Sequence, residues 1–405
     1  MTRGIVSLNA GSSSIKFGLF RLDAAGTPIH AAGGKIEGIG TAPRLSARAD
    51  DGSMVLERDW RSLDESGGAS LTHEDLLADL IGWARDHLGD HEVVAIGHRV
   101  VHGGTRFAAP CLIDDAVMAQ LDALCPLAPL HQPHNLAAIR AVSALVPGIP
   151  QVACFDTAFH HDRPGLAQRF ALPRTLHDEG IRRYGFHGLS YDYVAQRLRE
   201  IDPALAAGRV IVAHLGNGAS MCAMAAGRSV DTTMGFTALD GLMMGTRSGS
   251  LDPGVVLHLI QQKGMTAAEI ERLLYKQSGL LGVSGISSDM RALKESGAPE
   301  AEEAMALFAW RAGREAGALM ASLGGLDGIV FTAGIGENDP DMRARICSRL
   351  GWAGVSLDAA ANAVNAPVIS APDSAIALRV IATDEEYMIA LHTVETCDLA
   401  LKKAR

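Results

Sequence analysis

The sequence predicts an α/β protein built from two related domains. Short apolar strands alternate with amphipathic helices, a group of three strands recurs about two hundred residues further on, and 405 residues suffice for two or three domains of roughly 100–200 residues each. Hydrophobic residues make up 48% and charged residues 20%, a globular balance that disfavours long disorder and coiled coil. Lys and Arg total 36 against 46 Asp and Glu, a net charge of −10. That sign argues against nucleic acid or an anionic membrane as partner, so an anionic ligand needs a local cluster of donors. Glycine is enriched, 44 residues against a usual share of ~7%, as expected where backbone approaches phosphate closely. The cysteines Cys111, Cys125, Cys154, Cys222, Cys347 and Cys397 form no Cys-x-x-Cys pair, which fits a reducing cytoplasm better than a disulfide framework. Neither a signal peptide nor a membrane span is expected.

Residues 5–8, 15–20 and 29–36 read as an antiparallel meander with turns at 9–13 and 24–26. Residues 210–214, a strand ending at 224, and residues 229–233 repeat the arrangement. At one constant offset Leu8, Gly11 and Ser13 fall on Leu215, Gly218 and Ser220, and Ala-Ala-Gly closes both hairpins. Three identities in a dozen positions also fit chance, so the duplication is an expectation for the structure to test. Residues 301–323 place Met305, Phe308, Ala312, Ala316, Leu319 and Leu323 on one helical face and stop at Gly324 and Gly325. A buried strand at 328–332 then runs into a glycine loop, 334–338, with Asp339 as N-cap and Pro340 at the first helical position. Strand, glycine loop and helix N-terminus in succession make an anion or nucleotide cradle. No linker separates the halves, and the boundary near residue 150 is soft.

Walker-type, nucleophile-elbow and His-Glu-x-x-His motifs are absent, so phosphate binding needs another scaffold. In the strand through residues 93–104, alternation puts Arg99 and Val101 on one face. A cation beside an apolar patch suits a small acid with a carboxylate at one end and a methyl at the other. A surface arginine paired with an aspartate is the plainer alternative. His98 and His102 lack a third ligand nearby, which disfavours zinc. Asp156 follows an apolar run, at a strand end where α/β proteins place catalytic carboxylates. His187 stands between glycines ahead of a helix at 191–201, as a ligand donor or as a buried structural histidine. The loop 234–249 carries four glycines and the lone Arg247, a length and composition typical of functional loops.

Jointly the order is specific. Asn-Ala-Gly-Ser-Ser-Ser-Ile-Lys at 9–16, His-Arg-Val-Val-His-Gly-Gly at 98–104, Phe-Asp-Thr-Ala-Phe-His at 155–160 and Arg-Tyr-Gly-Phe-His-Gly at 183–188 come first. His-Leu-Gly-Asn-Gly at 214–218, Met-Gly-Thr-Arg-Ser-Gly at 244–249, Gly-Ile-Gly-Glu-Asn at 334–338 and Thr-Asp-Glu-Glu at 383–386 follow. Over the whole length this series resembles the acetate kinase (acetokinase) family. The resemblance implies the acetate and sugar kinase, actin and heat-shock-chaperone superfamily: two ribonuclease-H-like domains with a duplicated βββαβαβα core, closing over nucleotide. It implies an N-terminal acid-binding domain, 1–155 with a returning helix at 386–405, and a nucleotide-binding domain, 156–385. It further implies Mg²⁺ at Asn9 and Glu385, Lys16 near phosphate, Arg99 on the acid's carboxylate, and Val101, Leu130 and Phe186 around its methyl. His187 and Arg247 would be donors to the transferring phosphoryl, and Asp156 an acid/base or metal-side carboxylate. His214, Leu215, Gly216, Asn217 and Gly218, then Asp289, Met290 and Arg291, then Gly334, Ile335, Gly336, Glu337 and Asn338 would form the nucleotide site. The implied reaction is reversible, Mg²⁺-dependent transfer of the ATP γ-phosphoryl to acetate by a cytoplasmic homodimer. Propionate kinase is the alternative within the family; a sugar kinase and a nucleotide-switch protein are the alternatives outside it. The family usually has Pro where this chain has Ala238 and Glu where it has Asp240, which leaves the width of the acyl pocket open.

Overall fold

A computed structural model describes residues 3–11, 14–60, 68, 70–88 and 92–399. The chain forms two units, Met1–Phe159 with Asp384–Arg405, and His160–Thr383. Asp156 and Glu385, placed by sequence in the second domain, therefore belong to the first unit. Asp156 directly follows a strand of the first sheet, and Glu385 opens a helix packed on that sheet.

In the first unit the strands are β1 (Arg3–Ala10), β2 (Ser14–Leu22), β3 (Pro28–Glu37), β4 (Arg44–Ala49), β5 (Met54–Asp59), β6 (Glu92–Val100), β7 (Cys111–Leu112) and β8 (Gln151–Phe155). They lie in the order β5-β4-β3-β2-β1-β6-β8-β7. β1 to β5 form an antiparallel meander, while β6 runs parallel to β1 and β8 parallel to β6. β1 is buried along nearly its whole length because both faces of the sheet are covered. Leu76, Leu77 and Leu80 of the helix His73–Leu88 and Ala138 and Val142 of the helix Gln132–Leu145 pack on one face with Val6 and Leu8. Ala390 and Val394 of the helix Glu385–Thr396 cover the other with Ile5 and Phe20.

The second unit contains β9 (Arg209–Leu215), β10 (Ala219–Ala225), β11 (Arg228–Thr232), β12 (Gly328–Thr332) and β13 (Ala377–Val380), in the order β11-β10-β9-β12-β13. Three antiparallel strands are again followed by two parallel ones. The sheet order thus repeats that of β3-β2-β1-β6-β8. The constant sequence offset does not survive the hairpin turn, since Leu8 pairs with Phe17 but Leu215 with Ala219. The first hairpin has the longer turn, and Ser13 lies outside the described residues.

The helix Pro299–Leu323 ends at Gly324 in the left-handed region, φ 67°, and buries Met305, Phe308, Ala312, Ala316 and Leu319. Asp339 caps the helix Pro340–Ser348 by accepting the Met342 N–H at 2.9 Å. Between them, residues 334–338 are not a loop but part of a short helix, Ala333–Asn338. Glu337 Oε1 accepts the Ala333 N–H at 2.7 Å and the Thr383 N–H at 3.1 Å, satisfying a donor of the helix's first turn. The helix expected from residue 191 starts at Gly188, behind a left-handed His187, φ 60°. β6 ends at Val100, so strand alternation does not carry Val101 onto the face of Arg99. The buried N–H of Val101 is bonded to Asn135 Oδ1 at 3.0 Å instead.

Candidate active site

Parallel strands that end together align their C-terminal residues, where α/β sheets bind ligands. In the first unit β1, β6 and β8 do this and bring Asn9, Arg99 and Asp156 to one place. Arg99 Nε lies 2.9 and 3.1 Å from the two Asp156 carboxylate oxygens, Nη2 donates to Oδ2 at 2.5 Å, and Nη1 donates to Asn9 Oδ1 at 3.0 Å. The Arg99 side chain is 21% exposed and that of Asp156 only 2%. Burial works against the guanidinium charge, but Asp156 outweighs it and holds Arg99 above its ordinary pKa, with a further contribution from Glu385. The arginine read as the holder of the acid is therefore already gripped by a carboxylate of the protein. These bonds still leave one N–H on each Nη.

Lys16 is exposed and pairs across the ladder with Asn9. Asp384 caps the C-terminal helix through the Tyr387 N–H, so that helix begins with Glu385 and Glu386. Burial, reinforced by Glu385, raises the Glu386 carboxyl, and Lys16 opposes the shift. No group of three His, Cys, Asp or Glu that could hold a metal ion exists among the described residues. The donors near Arg99 are an amide oxygen and a carboxylate, hard oxygen ligands. Such a sparse set fits Mg²⁺, which keeps several waters and shares its shell with phosphates. His98 is buried, bonded to Gln151 Oε1 at 2.8 Å and pushed down to about 4 by burial, which makes it a neutral core residue. Val101 is buried and Leu130 half-buried in the first unit, and Phe186 is buried in the second.

The second unit carries a cleft of about 690 Å³. Gly216, Asn217, Asp289, Met290, Arg291, Gly334, Ile335 and Asn338, all expected at the nucleotide, line it. His214, Leu215, Gly218, Gly336 and Glu337 do not line it. Glu337 is turned back on Ala333 and Thr383, and a Cβ on Gly336 would lie 3.3 Å from the Phe331 backbone, so these two brace the helix against the sheet. Sequence reasoning missed Ser288, Lys294 and Asp339, which also line the cleft. Lys294 lies in the last turn of the helix Met290–Ser296, four residues after Met290 and so on the same helical face; that spacing was the available signal. Its ammonium pairs with Asp339 and lies 3.8 Å from Asp341.

Beside the cleft, Gly218 keeps its backbone bare under two donors. A Cβ there would lie 3.4 Å from His187 Nε2 and 3.8 Å from Arg247 Nη1. His187 Nδ1 is 2.8 Å from Ser220 Oγ, and its ring stacks on His214 with centroids 4.2 Å apart. Arg247 Nη1 donates to the Ala238 carbonyl at 3.1 Å. Its loop is sewn at the base: Asp240 Oδ1 accepts from Ser250 Oγ at 2.7 Å and from the Gly241 N–H at 2.8 Å, and Oδ2 lies 3.5 Å from Arg183 Nη1. A Cβ at Gly245 would meet Asn217 Oδ1 at 1.8 Å, so only glycine lets this loop reach the cleft wall.

Comparison with known proteins places this geometry. The acetokinase family pattern matches residues 4–391. This chain belongs to the acetokinase family. An acetate kinase of Rhodopseudomonas palustris is 53% identical over 402 residues, covering 98% of this chain and 99% of that protein. The crystal structure of Porphyromonas gingivalis acetate kinase superposes with a TM-score of 0.84 at 38% identity, covering 98% of this chain and 100% of that one. A propionate kinase from Francisella tularensis gives 0.88 at 37% identity, with 97% and 99% covered. The two-sheet α/β fold of this acetokinase is thus shared with those acetate and propionate kinases over nearly the whole chain.

Proposed function

We propose that this acetokinase transfers the γ-phosphoryl group of ATP reversibly to acetate, giving acetyl phosphate and ADP. The observation that carries the reading is the pair of donor sets at the strand ends: Arg99, aimed by Asp156, in the first unit, and His187 with Arg247 over Gly218 in the second. A carboxylic acid with a pKa near ~4 is ionised at neutral pH and needs no general base. The obstacle is bringing one anion to another, and positioned cations and donors remove it.

Arg99 receives the acid's carboxylate on the N–H groups left beyond Asp156 and Asn9. Asp156 is a positioning residue here, since a carboxylate held by a guanidinium is a poor proton acceptor. His187 and Arg247 donate to the oxygens of the group in flight, where charge shifts during transfer. The cleft lined by Gly216, Asn217, Asp289 to Arg291, Gly334, Ile335 and Asn338 takes the nucleoside, and Lys294 adds a cation at its wall. Mg²⁺, held by Asn9 and Glu385 with Lys16 nearby, would supply charge neutralisation on the phosphate oxygens.

Propionate is a secondary acceptor in this reading, because Ala238 is small where the family usually has proline. A homodimer is supported by the helix Pro253–Gln261, which buries none of its residues and exposes Val255 (40%), Leu257 (53%) and Ile260 (46%). A cytoplasmic location is supported by six free cysteines. Among the described residues no helix is long and apolar enough to cross a membrane.

Hydroxamate trapping of acyl phosphate with acetate, propionate and butyrate, with and without Mg²⁺, tests the reading. Acetate-dependent hydroxamate that requires the metal is the expected result. ATP turnover indifferent to acid, or turnover driven by a polyol instead, would overturn it.

A further inference from the structure

Behind His187 lies a buried polar chain that phosphoryl transfer has not yet used. Ser220, on β10, is fully buried and pairs across the ladder with His214, the residue on which the His187 ring stacks. Its Oγ lies 2.8 Å from His187 Nδ1 and is also hydrogen-bonded to the Tyr191 hydroxyl. Tyr191 is fully buried one turn into the helix that His187 begins.

We propose that Tyr191 and Ser220 form a relay that holds His187 as the neutral tautomer protonated on Nε2, so that it donates a hydrogen bond to the transferring phosphoryl without carrying charge. The proposal rests on the role given to His187 above.

A serine hydroxyl has one hydrogen to give, and among the described residues the buried Ser220 Oγ is hydrogen-bonded to His187 and Tyr191 alone, so that hydrogen goes to one of these two. Burial raises the Tyr191 phenol well above its ordinary value, so its proton stays on oxygen and the phenol is a donor at any working pH. If Tyr191 donates to Ser220 Oγ, the Ser220 hydrogen points to Nδ1, which must then be the bare nitrogen. The ring proton is left on Nε2, the nitrogen beside Gly218 and on the side of Arg247. A neutral donor suits this place. Arg247 already supplies a full charge there, and a second cation in a stacked imidazole pair would be opposed by its neighbours. Ser220 and Tyr191 are therefore positioning residues, acting only through His187.

The test uses the full-length enzyme labelled with ¹⁵N-histidine, its tautomers read by long-range ¹H–¹⁵N spectra and the His187 signal identified by its loss in His187→Gln. The expected result is an Nε2–H tautomer in the wild type. Ser220→Ala should move the signal toward Nδ1–H and lower kcat about tenfold, less than loss of a donor itself, with KM for acetate and ATP nearly unchanged. Tyr191→Phe, which removes one oxygen from an otherwise unchanged ring, should give a smaller change of the same kind and keeps the test alive if Ser220→Ala fails to fold. An Nδ1–H tautomer in the wild type, or a fall in kcat with the tautomer unmoved, would overturn the relay. Wild-type kcat in His187→Gln would instead overturn the role of His187, whatever its tautomer.

Discussion

The two sheets share one strand order and end in opposite chemistry. At the ends of β1, β6 and β8 the first unit carries a nearly buried ion pair, Arg99 with Asp156, flanked by Lys16 and Glu385. The second unit carries bare glycine backbone, two stacked imidazoles and an arginine delivered by a loop. One topology thus gives both units the same kind of place, the C-terminal ends of parallel strands where α/β sheets bind ligands, and different residues fill it. The units also hold their arginines differently. Arg99 stands on a strand and is aimed by a carboxylate, whereas Arg247 depends on a carbonyl of its own loop and on Asp240 at the loop's base.

The largest expected effect tests the second unit. Arg247→Ala should lower kcat by a factor on the order of 10² to 10³ with little change in nucleotide affinity, because the lost charge acts mainly in the transition state. Steady-state kinetics with near-wild-type kcat would remove Arg247 from the reaction.

Arg99→Ala sharpens the contrast. The acid is charged in its ground state too, so KM for acetate should rise strongly, roughly 10- to 100-fold, which corresponds to about 1.4–3 kcal/mol. It also removes the guanidinium that offsets the buried Asp156 carboxylate, and breaking a buried ion pair by removing one partner should cost roughly 3–5 kcal/mol of stability. Adding Asp156→Asn should return much of that stability in denaturant titration but none of the acetate affinity. If the double variant stays as unstable as the single, the pair is not what ties this site to the fold.

Acid should separate the units. Burial pushes His98 and His102 of the first unit down to about 4 and His160 of the second down to about 3. These folded values lie below the ordinary 6.5, so the unfolded chain takes up protons first. The stability these residues contribute is complete above about pH 6.5 and erodes as the pH falls from there toward 4, by on the order of 1 kcal/mol per unit per histidine. Hydrogen exchange at pH 7.5 and pH 5.5 should show the first sheet losing protection sooner than the second. Equal loss in both would break the distinction.

Lys294→Ala should raise KM for ATP several-fold, since a partly exposed cation already paired with Asp339 adds little to binding. An unchanged KM would place Lys294 in helix capping alone. The smallest effect is expected at Ala238. One methylene in an apolar pocket is worth at most about 1–3 kcal/mol, and propionate should be used within about tenfold of acetate in kcat/KM. Ala238→Pro should tilt that ratio toward acetate if the side chain forms the wall. Because the Ala238 carbonyl supports Arg247, a fall in kcat with both acids and no change in ratio would assign the position to the loop instead.

Alternation of apolar residues, capping residues and glycine stops read correctly for β1 to β3, for the long helix ending at Gly324 and for the cap at Asp339, because those signals act within a few neighbours. The series of short motifs likewise identified the family and most of the cleft. Local pattern failed at residues 334–338, where glycines suggested a loop. The Glu337 side chain that satisfies the Ala333 N–H of the helix's first turn also accepts one from Thr383, a residue distant in sequence. It also failed past the first hairpin turn, where one constant offset could not represent two turns of different length.

The sequence by itself determined the two-sheet α/β class and the family. Only the tertiary structure decided how the residues of the candidate site are held: that Asp156 grips Arg99, that Glu337 turns inward, that Lys294 joins the cleft, and that Ser220 backs His187. The physical reason is that residue type and periodicity depend on near neighbours along the chain. Ion pairs and hydrogen bonds such as Arg99 to Asp156 or His187 to Ser220 depend on strands brought side by side from far apart in sequence, and no local spacing encodes that distance.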